Sequence, residues 1–233
     1  MTNNIGEITG WEEQVQLKEG PGGAGPIPFL VVRDHFYENP ENVRRVAQSM
    51  KFIKHSDVTG YSTDDVYHER NIRGRLEQIL GVKITRWDRG DGNGCFYEAY
   101  ARGNRKEVPG IHCDEPYDDI TALVYLTPDL PSVYGTSLWQ HISTGLIAAP
   151  NRTDAYRLGT TLTKLRDRLE RDSENRRLWT EIDRAGYRYN RLVAYPSGLL
   201  HSATRHYGSN LQNGRLYQTF RIGVDWKTCK LCR

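Results

Sequence analysis

Val108-Pro109-Gly110-Ile111-His112-Cys113-Asp114-Glu115-Pro116 is the stretch on which the reading of this chain turns. A Pro-Gly turn signal precedes a His and an Asp two positions apart. In an extended segment, alternation points His112 and Asp114 to one face and sends Cys113 to the other. One imidazole and one carboxylate on a shared face are two of the three ligands of a facial triad. That donor set holds non-haem Fe(II) and leaves positions open for other ligands. The third ligand must be a His from elsewhere. The best candidate is His201, in Tyr195-Pro196-Ser197-Gly198-Leu199-Leu200-His201-Ser202, where Pro-Ser-Gly makes a turn able to feed a new strand. Most H-x-D triplets are surface accidents, so the rest of the chain must supply context.

The 233 residues fit one large domain, with 37% apolar and 26% charged residues giving a core under a very polar surface. A net charge of +3 permits an anionic ligand and argues against a dedicated nucleic-acid partner. No run approaches the roughly eighteen apolar residues of a membrane span. Met1 to Glu7 lack the basic and apolar regions of a signal peptide. The expectation is a soluble cytoplasmic protein without a membrane partner. Cys95, Cys113, Cys229 and Cys232 are too few for a disulfide scaffold at this length. Cys229-Lys230-Leu231-Cys232 reads as two thiols on a C-terminal tail over 227–233.

Residues 1–28 are polar and then rich in Gly and Pro, which predicts a flexible N-terminal arm. A domain is expected over 29–226. Phe29-Leu30-Val31-Val32 opens it as a short buried strand. Asn39-Pro40-Glu41 starts a helix, with Asn as cap and Pro at the first helical position. A second helix is expected from Arg73 to Leu80, closed by Gly81. Strands are then expected over 96–100, 120–126, 136–140, 192–195, 199–202 and 216–224. Residues 151–187 interrupt them as a helical insert. Its first helix carries Leu158, Leu162, Leu165 and Leu169; its second is capped by Ser173 and carries Leu178, Trp179 and Ile182. Short strands divided by Pro, Gly, Asn and Asp predict a mainly β protein, an antiparallel sandwich or barrel with helices ahead of it.

The last segment that matters is Gly214-Arg215-Leu216-Tyr217-Gln218-Thr219-Phe220-Arg221. In a strand, Arg215, Tyr217, Thr219 and Arg221 share a face. Arginine on an inward face is costly unless it meets an anion, and its planar fork suits a carboxylate.

With these residues in place the chain resembles the iron(II)/2-oxoglutarate-dependent oxygenases. The family pattern is H-x-D, a distal His, then a basic residue heading the final core strand; here that is His112, Asp114, His201 and Arg215. The upstream and downstream order is similar too, from Asp34-His35-Phe36-Tyr37 to Gly135-Thr136-Ser137-Leu138-Trp139. The resemblance implies a double-stranded β-helix (jelly-roll) core with N-terminal helices. It implies that His112, Asp114 and His201 bind Fe(II). It also implies that Arg215 holds the distal carboxylate of 2-oxoglutarate, with Arg221 as the competitor and Tyr100 and Thr219 as candidate hydroxyl partners. The implied activity consumes 2-oxoglutarate and O2, releases succinate and CO2, and oxidises, by hydroxylation, a small molecule such as an amino acid or peptide-derived metabolite. The acid at Asp114 separates the chain from halogenases of the family, which carry Gly or Ala there. Two alternatives stay open: an AlkB-like nucleic-acid dealkylase, whose R-x5-R ending Arg215 and Arg221 match although Tyr217 stands where that group carries Asn, and a catalytically silent jelly-roll binding protein.

Overall fold

Strand pairing, rather than helix packing, organises this chain. The computed structural model describes residues 14–19, 26–54, 60–87, 93–114 and 119–229, with side chains from Leu30 onward. In chain order the elements are β1 (Gln14–Glu19), β2 (Pro26–Arg33), α1 (Pro40–Ser49), β3 (Phe52–Ile53), β4 (Tyr61–Thr63), α2 (Ile72–Leu80), β5 (Lys83–Arg86), β6 (Phe96–Ala99) and β7 (Ile120–Tyr125). There follow β8 (Thr136–His141), α3 (Arg152–Arg157), α4 (Leu162–Asp172), β9 (Trp179–Ala185), β10 (Leu192–Pro196), β11 (His201–Ala203) and β12 (Arg215–Asp225).

The large antiparallel sheet runs β1-β2-β10-β7-β12-β6-β4-β3, with β5 also on β12; the small one runs β11-β8-β9. Residues 111–114 extend the small sheet, because His112 and His201 form an antiparallel bridge. From β6 onward the chain steps between the sheets: β6 large, 111–114 small, β7 large, β8 and β9 small, β10 large, β11 small, β12 large. Two facing four-strand paths filled in this order are a double-stranded β-helix, the jelly-roll expected from the sequence.

Period-two alternation divides the large sheet's residues between two cores. Ala122, Val124, Phe220 and Ile222 face α1 and α2, packing on Val43 and Leu76. Leu123, Tyr125, Val193 and Tyr195 face Leu138 of the small sheet. On the small sheet's outer side, Trp139 and Leu200 pack against Leu165 and Leu169 of α4. The helix starts follow their caps: the Asn39 side chain accepts from Asn42 N at 3.0 Å, and Gly81 closes α2 in the left-handed region at φ 61°.

Three expectations need correction. Residues 179–185 are strand β9, not a helix. Ser173 does not open a helix; it keeps αR geometry and its N–H donates to Glu170 O, ending α4. Leu178, Trp179 and Ile182 suit a helical period, but β8 needs a second partner for its backbone, and β9 supplies it. The helical part of the insert is thus α3 and α4. Secondly, the described part of the expected N-terminal arm is sheet: Gln14–Glu19 pairs with Pro26–Val32. Thirdly, residues 226–229 after β12 close back onto the core, where Cys229 is buried and disulfide-bonded. Cys232 lies outside the described residues. Among the described residues no helix is long and apolar enough to cross a membrane.

Candidate metal centre

His112, Asp114 and His201 converge. One ligand atom from each lies within 4.8 Å of the others. The backbone forces this meeting: His112 N donates to His201 O at 3.0 Å, His201 N donates to His112 O at 2.8 Å, and Asp114 N donates to Ser197 O at 2.9 Å. The turn through Ser197 and the 111–114 strand are therefore one hydrogen-bonded unit. The expected alternation is visible, since Ile111 and Cys113 pack outward against the α3–α4 cluster.

The imidazoles are oriented by their own neighbours. His112 Nδ1 is 3.0 Å from Gly110 O, and His201 Nδ1 is 2.8 Å from Leu199 O. A carbonyl only accepts, so each Nδ1 carries the proton and each Nε2 keeps its lone pair. These are the Nε2 atoms that face Asp114, at 3.9 Å from His112 to Oδ1 and 3.6 Å from His201 to Oδ2. The Thr121 hydroxyl donates to Asp114 Oδ2 and sits 3.0 Å from Ser197 Oγ. Arg221 Nη2 is 3.7 Å from Asp114 Oδ1.

Electrostatics favours an ionised Asp114. Burial pushes its pKa up, but His201, His112, Arg221 and the Thr121 hydroxyl outweigh that and hold it below the ordinary range. His201 is held down to about 4, chiefly by burial against the pull of Asp114, and with it uncharged the Arg221 charge and the Thr121 hydroxyl still favour the Asp114 anion. Two neutral imidazole nitrogens and one anionic carboxylate, each braced from behind, fit a divalent first-row metal with open positions.

Arg215 lies on the inner face of β12 and is only 2% exposed. Its Nε donates to Tyr134 O at 3.2 Å, and Nη2 lies 3.4 Å from Thr136 Oγ1. The guanidinium sits over the rings of Tyr217 at 4.4 Å and Tyr125 at 5.4 Å. Among the described residues it meets no carboxylate. A buried cation without a counter-ion is expensive unless an anion completes it. Thr219 shares this face, opposite Leu123 in the register.

Tyr100 does not belong to this group, against expectation. It falls on the other face of the large sheet with Glu98, and burial first, then the Glu98 carboxyl, push its hydroxyl well above the ordinary range. There it lines a separate groove of about 320 Å³ with Met50, Phe52 and Arg105. Gly214 is what admits its ring, since a Cβ there would stand 2.4 Å from the ring edge. The tyrosine facing the centre is Tyr97, which pairs with Tyr217 across the strands and stacks on it at 5.5 Å. Burial pushes the Tyr97 hydroxyl up to about 12, against the pull of Arg221. Thr121 and Ser197 are further functional candidates that the sequence reading missed. His141, by contrast, is a core histidine held 3.3 Å from Asp172. Glu115 and Asp118 lie outside the described residues.

The chain belongs to a family of unknown function, DUF6445, whose model matches residues 104–221. That span holds His112, Asp114, His201, Arg215 and Arg221. No curated protein matches the sequence. Among solved structures, HygX from Streptomyces hygroscopicus with nickel and 2-oxoglutarate bound is 13% identical, with 84% of this chain and 83% of that chain covered and a TM-score of 0.49. The same protein with hygromycin B also bound gives a TM-score of 0.47. A Pseudomonas putida prolyl-4-hydroxylase is 13% identical, with 83% of this chain and 91% of that chain covered and a TM-score of 0.38.

Proposed function

We propose that this chain is a non-haem Fe(II)/2-oxoglutarate-dependent dioxygenase that hydroxylates a small molecule. The observation that carries the reading is the convergence of His112 Nε2, Asp114 and His201 Nε2, each backed by a hydrogen bond that fixes its donor. His112, Asp114 and His201 would hold the iron. When bound, iron and 2-oxoglutarate supply the oxidation, with O2 consumed and succinate and CO2 released.

The chain's own residues have the following parts in this reading. Thr121 and Ser197 keep Asp114 oriented and ionised. Arg221, beside Asp114, braces the metal end of the pocket and balances its negative charge. Arg215, buried and meeting no carboxylate among the described residues, receives the far carboxylate of 2-oxoglutarate, and Thr219 and Tyr217 share its face. Tyr97 and Tyr217 wall the space between. The N-terminal hairpin and the α3–α4 insert would then support one catalytic unit rather than separate domains.

The test is succinate formation from 2-oxoglutarate by the purified chain with Fe(II) and O2, without primary substrate. Slow, oxygen-dependent succinate release that disappears in Asp114→Ala supports the reading. Tight 2-oxoglutarate binding with no succinate under any condition favours the silent binding protein instead.

A further inference from the structure

Arg176 sits in the single 3-10 turn Arg176–Leu178 that follows α4. Its position is unusual for an arginine of a surface insert. Nη2 faces three acceptors: Pro109 O at 2.7 Å, Ser202 Oγ at 3.0 Å and Ala203 O at 3.3 Å. The guanidinium lies 4.4 Å over the Trp139 ring, and Trp139 Nε1 in turn donates to Ser202 Oγ at 3.0 Å. Pro109 leads into His112, and Ser202 directly follows His201. One guanidinium nitrogen therefore touches β11 and the segment that leads into the 111–114 strand, from behind.

Those strands need bracing. The 111–114 segment is short, and its pairing with β11 is a single bridge. On its other edge, Ile111 N donates to Ser173 O at 3.0 Å, where α4 ends. The insert thus grips the His112 strand twice, through Ser173 and through Arg176. The grip is energetically awkward: burial desolvates Arg176, its near partners are carbonyls and a hydroxyl, the Glu181 carboxylate acts on it only through longer-range charge, and Nη1 is buried without a hydrogen-bond partner. An apolar side chain would fill this place with less desolvation. What the guanidinium adds is geometric, since its Nη2 end reaches Pro109 O on one segment and Ser202 Oγ and Ala203 O on the other.

We propose that Arg176 is a positioning residue for the metal centre, setting the separation of His112 and His201 from the outer face of the small sheet. This rests on the reading of His112, Asp114 and His201 as a metal site. The helical insert then acts on the centre through its C-terminal turn, not only as a cover for the small sheet.

The experiment is anaerobic Fe(II) titration of the full chain, repeated with Ni(II), for wild type, Arg176→Met, Arg176→Lys and Ser202→Ala. Arg176→Met keeps an unbranched stem over Trp139 and removes the donors. Its metal dissociation constant should rise about tenfold, the lower end of what losing an outer-shell partner costs. Arg176→Lys should recover part of the loss. Ser202→Ala should shift the constant in the same direction by less, and it stands in if Arg176→Met does not fold. Asp34→Asn is the control for plain destabilisation. Asp34 binds Arg188 and Arg191 near Leu192, at the end of β10 away from Ser197. It should lower thermal stability and leave the metal constant alone. Wild-type affinity in both Arg176→Met and Ser202→Ala, or an equal loss in Asp34→Asn, would overturn the inference alone. Failure of the wild-type chain to bind metal would overturn the site reading and this inference together.

Discussion

Arg221 Nη2 stands 3.7 Å from Asp114 Oδ1, and Arg215, six residues earlier on the same face of β12, meets no carboxylate among the described residues. Two arginines of one strand are thus divided by their surroundings. One already has an anion, at the metal end. The other is buried among tyrosines with its charge open to a ligand.

The division predicts different phenotypes. A two-pronged, charge-assisted contact contributes about 1.5–3 kcal/mol net. At about 1.4 kcal/mol per tenfold, Arg215→Lys should raise the apparent 2-oxoglutarate constant roughly ten- to a hundredfold. Its Fe(II) constant should stay near wild type. Binding measured for both ligands in Arg215→Lys and Arg221→Lys decides the matter: loss of 2-oxoglutarate in the Arg221 variant only would reverse the assignment.

Thr121→Val is nearly isosteric and removes the hydroxyl that donates to Asp114 Oδ2. Losing such an outer-shell partner lowers metal affinity about ten- to a hundredfold. The expected result is that weakening in a metal titration, with the far-ultraviolet spectrum of the folded chain retained. An unchanged constant would mean that Ser197 and the backbone suffice to hold Asp114.

Tyr100→Phe should leave both the metal and the 2-oxoglutarate constants at wild-type values, because Tyr100 faces the groove of Glu98 and Arg105 on the other side of the sheet. A rise in the 2-oxoglutarate constant on removing this one hydroxyl would return Tyr100 to the site.

Asp34 gives a pH prediction away from the metal. Arg191 donates to it at 2.6 and 2.9 Å and Arg188 at 2.8 Å. The Arg191 hydrogen bond first, then the charges of both arginines, outweigh burial and hold its carboxyl below the ordinary range. A lowered folded-state pKa means stability that is present above the unfolded value of about 3.9 and lost as pH falls through the folded one. Asp34→Asn should therefore cost about 1.5–3 kcal/mol near pH 7, mostly through Arg191, since Arg188 is more open to water. The difference from wild type should shrink below about pH 4. Chemical denaturation at pH 7 and pH 3 checks this, and an equal gap at both would contradict it.

The parts of this site legible in sequence are those that need only local rules. Alternation alone puts His112 and Asp114 on one face and Cys113 on the other. The cap at Asn39 and the stop at Gly81 read directly from residue chemistry. His201 and Arg215 are distant in the chain, and only the resemblance ties them to H-x-D. Tyr97 and Tyr100 could not be told apart, because which of them faces Tyr217 depends on the register between β6 and β12. β9 escapes local rules for a related reason: its apolar spacing fits a helix, and the backbone hydrogen bonds that β8 needs overrule it. Thr121 and Arg176 act through neighbours brought by pairing, which no local pattern announces.

The central claim is that His112, Asp114 and His201 hold one Fe(II) at which 2-oxoglutarate also binds. Its most direct test is an anaerobic titration of the purified chain with Fe(II) and then 2-oxoglutarate, following the weak visible charge-transfer band of the ternary complex. The account predicts one iron per chain, a band that saturates with 2-oxoglutarate, and loss of both iron and band in His112→Ala and in His201→Ala. A wild-type chain that shows no band, or a His201→Ala variant that keeps one tightly bound iron and the full band, would contradict it.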